Sequence, residues 1–579
     1  MQRQRGFLCF LLIVVTLTAC NRQDDEMSYA GGSFHMALDN SPSTFDPIVA
    51  NDFYSATILN QVFEGLVTYD SENLSIVPQI AKSWEISEDG KTYKFLLRND
   101  VFFHDHSSFD SMGDRKCTPE DVVFSFERAC HQHSNTAQSY AYSLLFKNKV
   151  QGANSYFKGS AKKISGLSIS GDTVIVKLID RDDFFLTKLG NVSAAIVSKK
   201  AFKRDEVIVG TGPFLLNYGD YLNPKKLILL KNTDYYERDS YQHKLPYLDS
   251  VCVRISSNKK EHIRWFNDQK IDYVSGLSSD ISSLIIDARI ADFNTRPPVL
   301  VLNSNPNLTT NYYHFNMLDQ RFANPLVRQA FNFAIDRKRI GKEILANQYF
   351  RLGNMGIVPP VPSVFKGYAF NNIQPGGYFY SPKLAKDLMI KAGYADGNSF
   401  GKLVLRVDKD ELNVRIAKEI QRQLKQVLNL DVVVTSHPFE VKNKLASNGD
   451  GDLFRNAWSA DYPSPETFLL NFYSKMIPSD STAPSTVNQS RYRNQVFDQM
   501  YEDAIHATSK GDALKAFNQA EVVLLQNPPF IPLWYSADYH IIYSNVRNLH
   551  FNPLNFLVLK RVYKKAWTVN EYRRKKVKP

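Results

Sequence analysis

One stretch of this chain is apolar enough to enter a membrane, and it is too short to span one. Residues 6–15 form an uninterrupted apolar run behind Arg3 and Arg5, and the run leads into Leu17-Thr18-Ala19-Cys20. A positive start, a short apolar core and a small residue before the cleavage point describe an export signal, whereas a transmembrane helix needs about 20 apolar residues. With cysteine directly after Ala19, the pattern resembles a bacterial lipobox. It implies removal of residues 1–19 and a lipid on the Cys20 thiol. The plainer alternative is an ordinary secretory signal cleaved nearby, with Cys20 incidental. No later run of about 18 apolar residues follows, so the body has to fold in water.

That body, from Cys20 to Pro579, is more than one hydrophobic core usually organises, and two or three lobes are expected. With 38 Phe and 30 Tyr among well-mixed charges, the composition is that of a globular chain, not a disordered one. The net charge of +11 is not clustered within the body. Its densest run is Arg573, Arg574, Lys575, Lys576 and Lys578 at the C-terminus, which reads as a solvated end near anionic lipid. Nucleic-acid binding would require basic stripes interleaved with aromatics, and is not expected. After Cys9 and Cys20, three cysteines remain: Cys117, Cys130 and Cys252. Cys117 and Cys130 flank a predicted helix of about 12 residues, too long at about 1.5 Å per residue to bridge. Cys252 pairing with one of them and three free thiols stay open.

Residues 20–32 read as a polar tether containing Asp24, Asp25, Glu26, Gly31 and Gly32. Strands and helices then alternate, which argues an α/β body. Strands are predicted at 92–97, 172–179, 431–435 and 452–457. A helix starts at Thr118, with Pro119 in its first turn and Asp121 at the reciprocal capping position. Others start at Asn324-Pro325 and Ser381-Pro382, and further helices cover 415–428 and 513–526. Their apolar stripes read as core.

Catalytic signatures are absent: the sequence has no H-E-x-x-H, C-x-x-C, G-x-S-x-G or P-loop pattern. Gly210-Thr211-Gly212-Pro213 lacks the third glycine of a dinucleotide fingerprint. His104-Asp105-His106 is the one metal-like cluster and reads better as a surface turn. Asp182-Asp183 reads as a solvent-facing acidic pair. Neither a cofactor nor a metal is expected, and the chain is not expected to be an enzyme.

Binding is a different matter. Residues 455–468 lead from a predicted strand into a helix begun by Ser464-Pro465, and place Arg455, Trp458, Asp461 and Tyr462 within eight residues. A loop at a strand end of an α/β lobe is a usual ligand position. A loop whose Asp461 merely satisfies backbone N–H groups, with Trp458 packed beneath, fits the composition equally well.

The segment resembles the ligand loop of the family 5 extracytoplasmic solute-binding proteins, which include the oligopeptide- and dipeptide-binding components of ABC importers. Other segments agree in order. Phe45-Asp46-Pro47 and Phe63-Glu64-Gly65-Leu66 resemble the first-lobe signature. Ala81-Lys82-Ser83-Trp84, Val101-Phe102-Phe103-His104-Asp105 and Asp121-Val122-Val123-Phe124-Ser125 resemble the second. Gly210-Thr211-Gly212-Pro213-Phe214 and Asn232-Thr233-Asp234-Tyr235-Tyr236 mark a return to the first. Asn316, Val327-Arg328-Gln329-Ala330 and Ala334-Ile335-Asp336-Arg337 open the third. The match spans roughly residues 33–545.

The resemblance implies an α/β clamshell of the periplasmic-binding-protein type (type II, cluster C-like) with an extra domain. Residues 33–64, 206–302 and 536–579 would form a discontinuous first lobe, residues 65–205 the extra domain beside it, and residues 303–535 the second lobe. It further implies that Asp461 pairs with a ligand α-ammonium. Backbone around Ala457, Ser459, Asn51, Phe53 and Tyr54 would hold a peptide main chain, as an added strand is held. Trp458, Tyr462, Tyr312, Tyr313 and Asn316 would line the site, and Arg455 would meet a ligand carboxylate. Two departures stand out. Ser459 occupies a position where some oligopeptide binders have a disulfide cysteine, and residues 106–117 are expanded.

The expected function is a monomeric, lipid-anchored receptor that passes short peptides to an ABC permease and its ATPase. A nickel complex, haem, a sugar or a murein peptide are alternative ligands. A surface lipoprotein that senses or adheres without transport is an alternative role. The periplasmic face is the expected location. The acids after Cys20 leave inner membrane, outer membrane and cell surface open.

Overall fold

Two strands, Leu300–Phe315 and Phe530–Tyr543, run antiparallel through the middle of the molecule and are too long for one core. At one end Leu300, Ile541 and Tyr543 are buried with Phe266 and Ile271. At the other, Tyr312, Phe315, Phe530 and Leu533 are buried in the largest core. Between the two, the ladder shifts register from Pro306 to Thr310, where proline has no N–H to donate. The computed structural model describes residues 30–565 apart from 132–138, 206–207, 217–224, 278, 371–376, 396 and 481. The export signal, Cys20, most of the tether and the basic run at 573–578 lie outside the described residues.

The first body begins at strand Ser33–Leu38, parallel to Ser250–Ile255, with Lys226–Lys231 and Phe214–Leu216 completing a four-stranded sheet. Strand alternation puts Phe34, Met36, Leu38, Val251 and Val253 on one face. There they pack with Ile58 and Leu59 of helix Phe53–Val62. Ile542, Leu557, Leu559 and Val562 return from the far end of the chain to close this core. Between these pieces, Ala81–Ile86, Thr92–Leu97, Thr173–Lys177 and Leu167–Ser170 form a separate antiparallel sheet. Its Phe95, Val174 and Val176 pack against Phe126 of helix Pro119–Ala129.

The second body is built on a seven-stranded sheet that includes both long strands. In it Lys402–Asp408 lies parallel to both Asp431–His437 and Leu453–Ser459. Helices Glu411–Leu428 and Phe439–Asn448 make the crossovers that parallel pairing requires. Among the described residues no helix is long and apolar enough to cross a membrane.

Local signals in the sequence place most elements. The backbone N–H of Thr118 donates to Asp121 at 2.9 Å, the reciprocal half of a capping box. Pro325–Ala334 and Pro382–Lys391 start at their prolines. Helix Glu411–Leu428 begins four residues earlier than the stripe at 415–428, because the Asp410 carboxylate caps it by accepting from Asn413 N–H at 3.0 Å. The helix begun by Ser464-Pro465 is a single turn, Glu466–Leu469. Cys117, Cys130 and Cys252 are all free thiols. The ring of His104 is buried and bonded to the Gly212 carbonyl, Nε2 to O 2.9 Å. That burial overturns the surface-turn reading for His104, and the solvent-facing reading of the acidic pair fails too. Asp182 and Asp183 do not face solvent; their side chains are 15% and 14% exposed, and each is paired with a cation.

Candidate functional site

Strand Leu453–Ser459 is paired along its length with the first long strand, Ser459 opposite Thr309, Ala457 opposite Asn311 and Arg455 opposite Tyr313. The ladder ends where Ala460 N–H donates to the Leu308 carbonyl at 2.9 Å. The chain then turns away, and Asp461 stands at the mouth of a cavity of about 360 Å³ between the two bodies. Asn51, Asp52, Phe53, Tyr140 and Asn191 line the first-body wall, and Ser459, Ala460 and Asp461 the second. Asn307 of the long strand and residues 553–556 close the floor.

The loop is braced internally. The Trp458 indole N–H donates to Thr467 Oγ1 at 3.3 Å, and that hydroxyl lies 3.4 Å from the Asp461 carboxylate. Tyr140, on the opposite wall, stands close enough to the same carboxylate to lower its pKa. Asp461 is an exposed residue facing the cavity, where nearby protein displaces part of the water around its carboxyl. This enclosure raises its pKa, and the bonds from Tyr140 and Thr467 oppose the rise only in part. Among the described residues no cation acts on it. An enclosed carboxylate without a counter-ion favours a ligand that brings positive charge.

The facing wall is fixed by helix Phe53–Val62. Asp52 caps it, accepting from Ser55 N–H at 2.9 Å and from the Ser43 and Ser55 hydroxyls at 2.6 Å each. Burial would raise the pKa of Asp52, but these bonds hold it below the ordinary aspartate value. Phe53 is therefore pinned with 48% of its surface exposed beside the cavity. At Gly190 the wall presses so close to Tyr69 that a Cβ would sit 2.9 Å from its ring.

The profile of the bacterial extracellular solute-binding proteins, family 5 Middle, matches residues 75–479, well over half of the chain. The chain belongs to this family. Relatives of this family 5 protein include heme-binding protein A of Haemophilus influenzae, 27% identical over 95% of this chain and 97% of that one. The dipeptide-binding protein of Escherichia coli is 24% identical over 89% and 91%. In structure it is similar to the ABC transporter-associated periplasmic binding protein DppA from Helicobacter pylori in complex with peptide STSA. The TM-score is 0.73 and the identity 26%, covering 93% of this chain and 99% of that one. The fold of this family 5 protein is accordingly the α/β clamshell of the periplasmic binding proteins.

The structure brings together Asn51, Phe53, Ser459 and Asp461 of the residues singled out from sequence. Trp458 and Tyr462 stand behind the loop, with Tyr462 only 4% exposed. Tyr54, the next residue of the same helix, is not among the residues lining the cavity. Tyr312 and Tyr313 are buried in the second-body core, and Asn316 bonds the Gly449 and Gly451 carbonyls at 2.8 and 2.9 Å. These three are framework of the family 5 protein and do not line the cavity. Arg455 is bound to Asp408 at 3.3 Å and to Asn311 at 3.1 Å. Ala457 lies in the ladder between them and the loop. Tyr140, Asn191, Asn307 and residues 553–556 were not legible as site residues. They lie in stretches without motif or periodicity, and only the fold gathers them.

Proposed function

We propose that this protein is a lipid-anchored receptor that captures short peptides between two lobes and hands them to an ABC permease. The lobes follow the division at 33–64 with 206–302 and 536–579, the extra domain at 65–205, and 303–535. The observation that carries the reading is the Asp461 carboxylate on the cavity wall, which has the Thr467 hydroxyl 3.4 Å away, Tyr140 facing it, and no cation acting on it among the described residues. A peptide α-ammonium supplies the charge and three donors, and closing would remove both ions from water together. Ser459 and Ala457 end an extended strand beside the cavity, which suits main-chain recognition that ignores side-chain identity. A lipid on Cys20 would keep the receptor close to its permease and raise the effective concentration there.

The test is calorimetry with a mixture of free tri- and tetrapeptides and with the same peptides N-acetylated. Binding of the first set and not of the second is expected. Equal binding of both would remove the ammonium role of Asp461. Haem binding with no peptide binding would replace the peptide assignment with that of the Haemophilus relative.

A further inference from the structure

The ligand loop is gripped from the opposite body at a second place, beyond the cavity. Lys188 lies on helix Phe185–Leu189 and is 2% exposed. Its ammonium is 2.8 Å from Asp182, six residues earlier in the same body, and 2.9 Å from Glu466. Glu466 belongs to the second body and stands five residues after Asp461. Lys149 lies 3.7 Å from Asp182, and the buried ring of Tyr462 is 5.3 Å from the Lys188 ammonium. Asn191, three residues beyond Lys188, donates to the Asp461 carbonyl at 3.2 Å. The surroundings are apolar: Phe184 packs on Phe517 of the second body with ring centres 6.0 Å apart.

The helix bearing Lys188 is anchored to the first body, since Phe185 and Leu189 are buried with Phe95 and Val176. Lys149, Lys188 and Asp182 together carry one surplus positive charge, and Glu466 brings one negative charge from the other side. Burial opposes the charge on Lys188, but Asp182 and Glu466 more than offset this and hold its pKa above the usual lysine value.

We propose that Lys188 and Glu466 form a latch between the lobes that positions the Asp461 loop, so that the ligand site is completed only when the two bodies meet. This rests on the reading of Asp461 as a ligand contact. With the bodies apart, Lys188 keeps Asp182 as a partner and Glu466 is hydrated. With the bodies together, all three are buried and must match. A buried ion pair of this kind adds little net stability, because desolvation offsets the attraction. Its effect is selective: leaving one member buried without the other is costly, so only one docking register is tolerated. Lys188 is thus a positioning residue that acts through Glu466 on Asp461.

The experiment compares wild type, Lys188→Met, Glu466→Gln and the double variant. Amide hydrogen exchange is followed at residues 458–468 and 185–192 of the protein as purified, and affinity is measured for mixed free tri- and tetrapeptides. Lys188→Met leaves Glu466 unpaired in the closed state. It should speed exchange in both segments and weaken peptide binding about tenfold or more. Adding Glu466→Gln removes the stranded charge and should recover most of both losses, which a general folding defect would not do. Wild-type exchange and affinity in Lys188→Met would overturn the latch, and so would a double variant as impaired as Lys188→Met. If wild type bound no peptide while the exchange pattern held, the peptide reading would fall and the latch would stand.

Discussion

Asn191 donates from its side-chain amide to the main-chain carbonyl of Asp461 at 3.2 Å, across the boundary between the two bodies. Tyr140, from the same side as Asn191, faces the Asp461 carboxylate across the cavity and lowers its pKa. The position of the key carboxylate is therefore not a property of its own loop. It is shared with residues that arrive from the opposite wall.

Replacing Asp461 with Asn keeps the size of the side chain and removes its charge. Affinity for peptides with a free amino terminus should fall by about 2–5 kcal/mol, since the ligand cation would be buried unpaired. Thermal unfolding of the ligand-free protein at neutral pH should shift upward, since the unpaired charge opposes folding there. Because enclosure raises the Asp461 pKa, wild-type affinity should begin to fall at a higher pH than an ordinary aspartate would dictate. In Asp461→Asn that pH dependence should vanish. Calorimetry across pH 4–8 checks both.

Tyr140→Phe removes the hydroxyl facing the same carboxylate without changing the shape of the wall. Affinity for free peptides should fall by about 1 kcal/mol, the net value of an ordinary polar contact. The onset of acid weakening should also move to higher pH, since Tyr140 opposes the rise in the Asp461 pKa. Titrating affinity against pH in this variant separates the two effects.

Glu521 is fully buried, accepts from the backbone N–H groups of Ile357 and Val358 at 2.6 and 2.8 Å, and takes a hydrogen bond from Tyr368 at 2.6 Å. Burial nevertheless raises its pKa to about 7. The folded state therefore holds this proton more tightly than the unfolded chain. The stability it brings is present below the unfolded value near 4.5 and is lost as pH rises through about 7. Buried His104, His314 and His540, lowered by burial to about 4, 3 and 4, act oppositely and lose stability as pH falls below 6.5. The informative quantity is thus a difference between proteins. Relative to wild type, Glu521→Gln should gain on the order of 3 kcal/mol between pH 4.5 and 8. Urea unfolding at several pH values measures it.

His35 and Cys252 are register partners on adjacent parallel strands. A hydrogen bond to Asp272 leads the causes that raise His35 to about 9, and His35 in turn lowers the Cys252 pKa. Burial pushes the Cys117 and Cys130 thiols up. Iodoacetamide at pH 7.5 should therefore label Cys252 first in protein beginning after Cys20. His35→Ala should slow that labelling about three- to tenfold, as the thiolate fraction falls. Peptide mass spectrometry reads the order and the rates.

What the sequence could reveal followed from how local each cause is. Helix starts at Thr118-Pro119, Asn324-Pro325 and Ser381-Pro382 were legible because capping and proline chemistry act within one turn. Asp461 was legible through its motif. Tyr140 and Asn191 were not, because their role comes from a wall folded far from residue 461 in the chain. Asp182 was misread for the same reason. An acid beside another acid suggests solvent until Lys188 and Lys149 are seen to close over it.

The two long strands also constrain how the protein is made. The first-body core begins with Phe34 and Met36 but is completed by Ile542, Leu557, Leu559 and Val562. A chain emerging from its N-terminus must keep that apolar face uncovered until almost all of it has been delivered. The core between the antiparallel sheet and helix Pro119–Ala129 lies within residues 48–209 and need not wait, whereas a truncation before residue 540 would leave the first-body core open. Closure of the first-body core is a late event, sealed by the last segment to arrive.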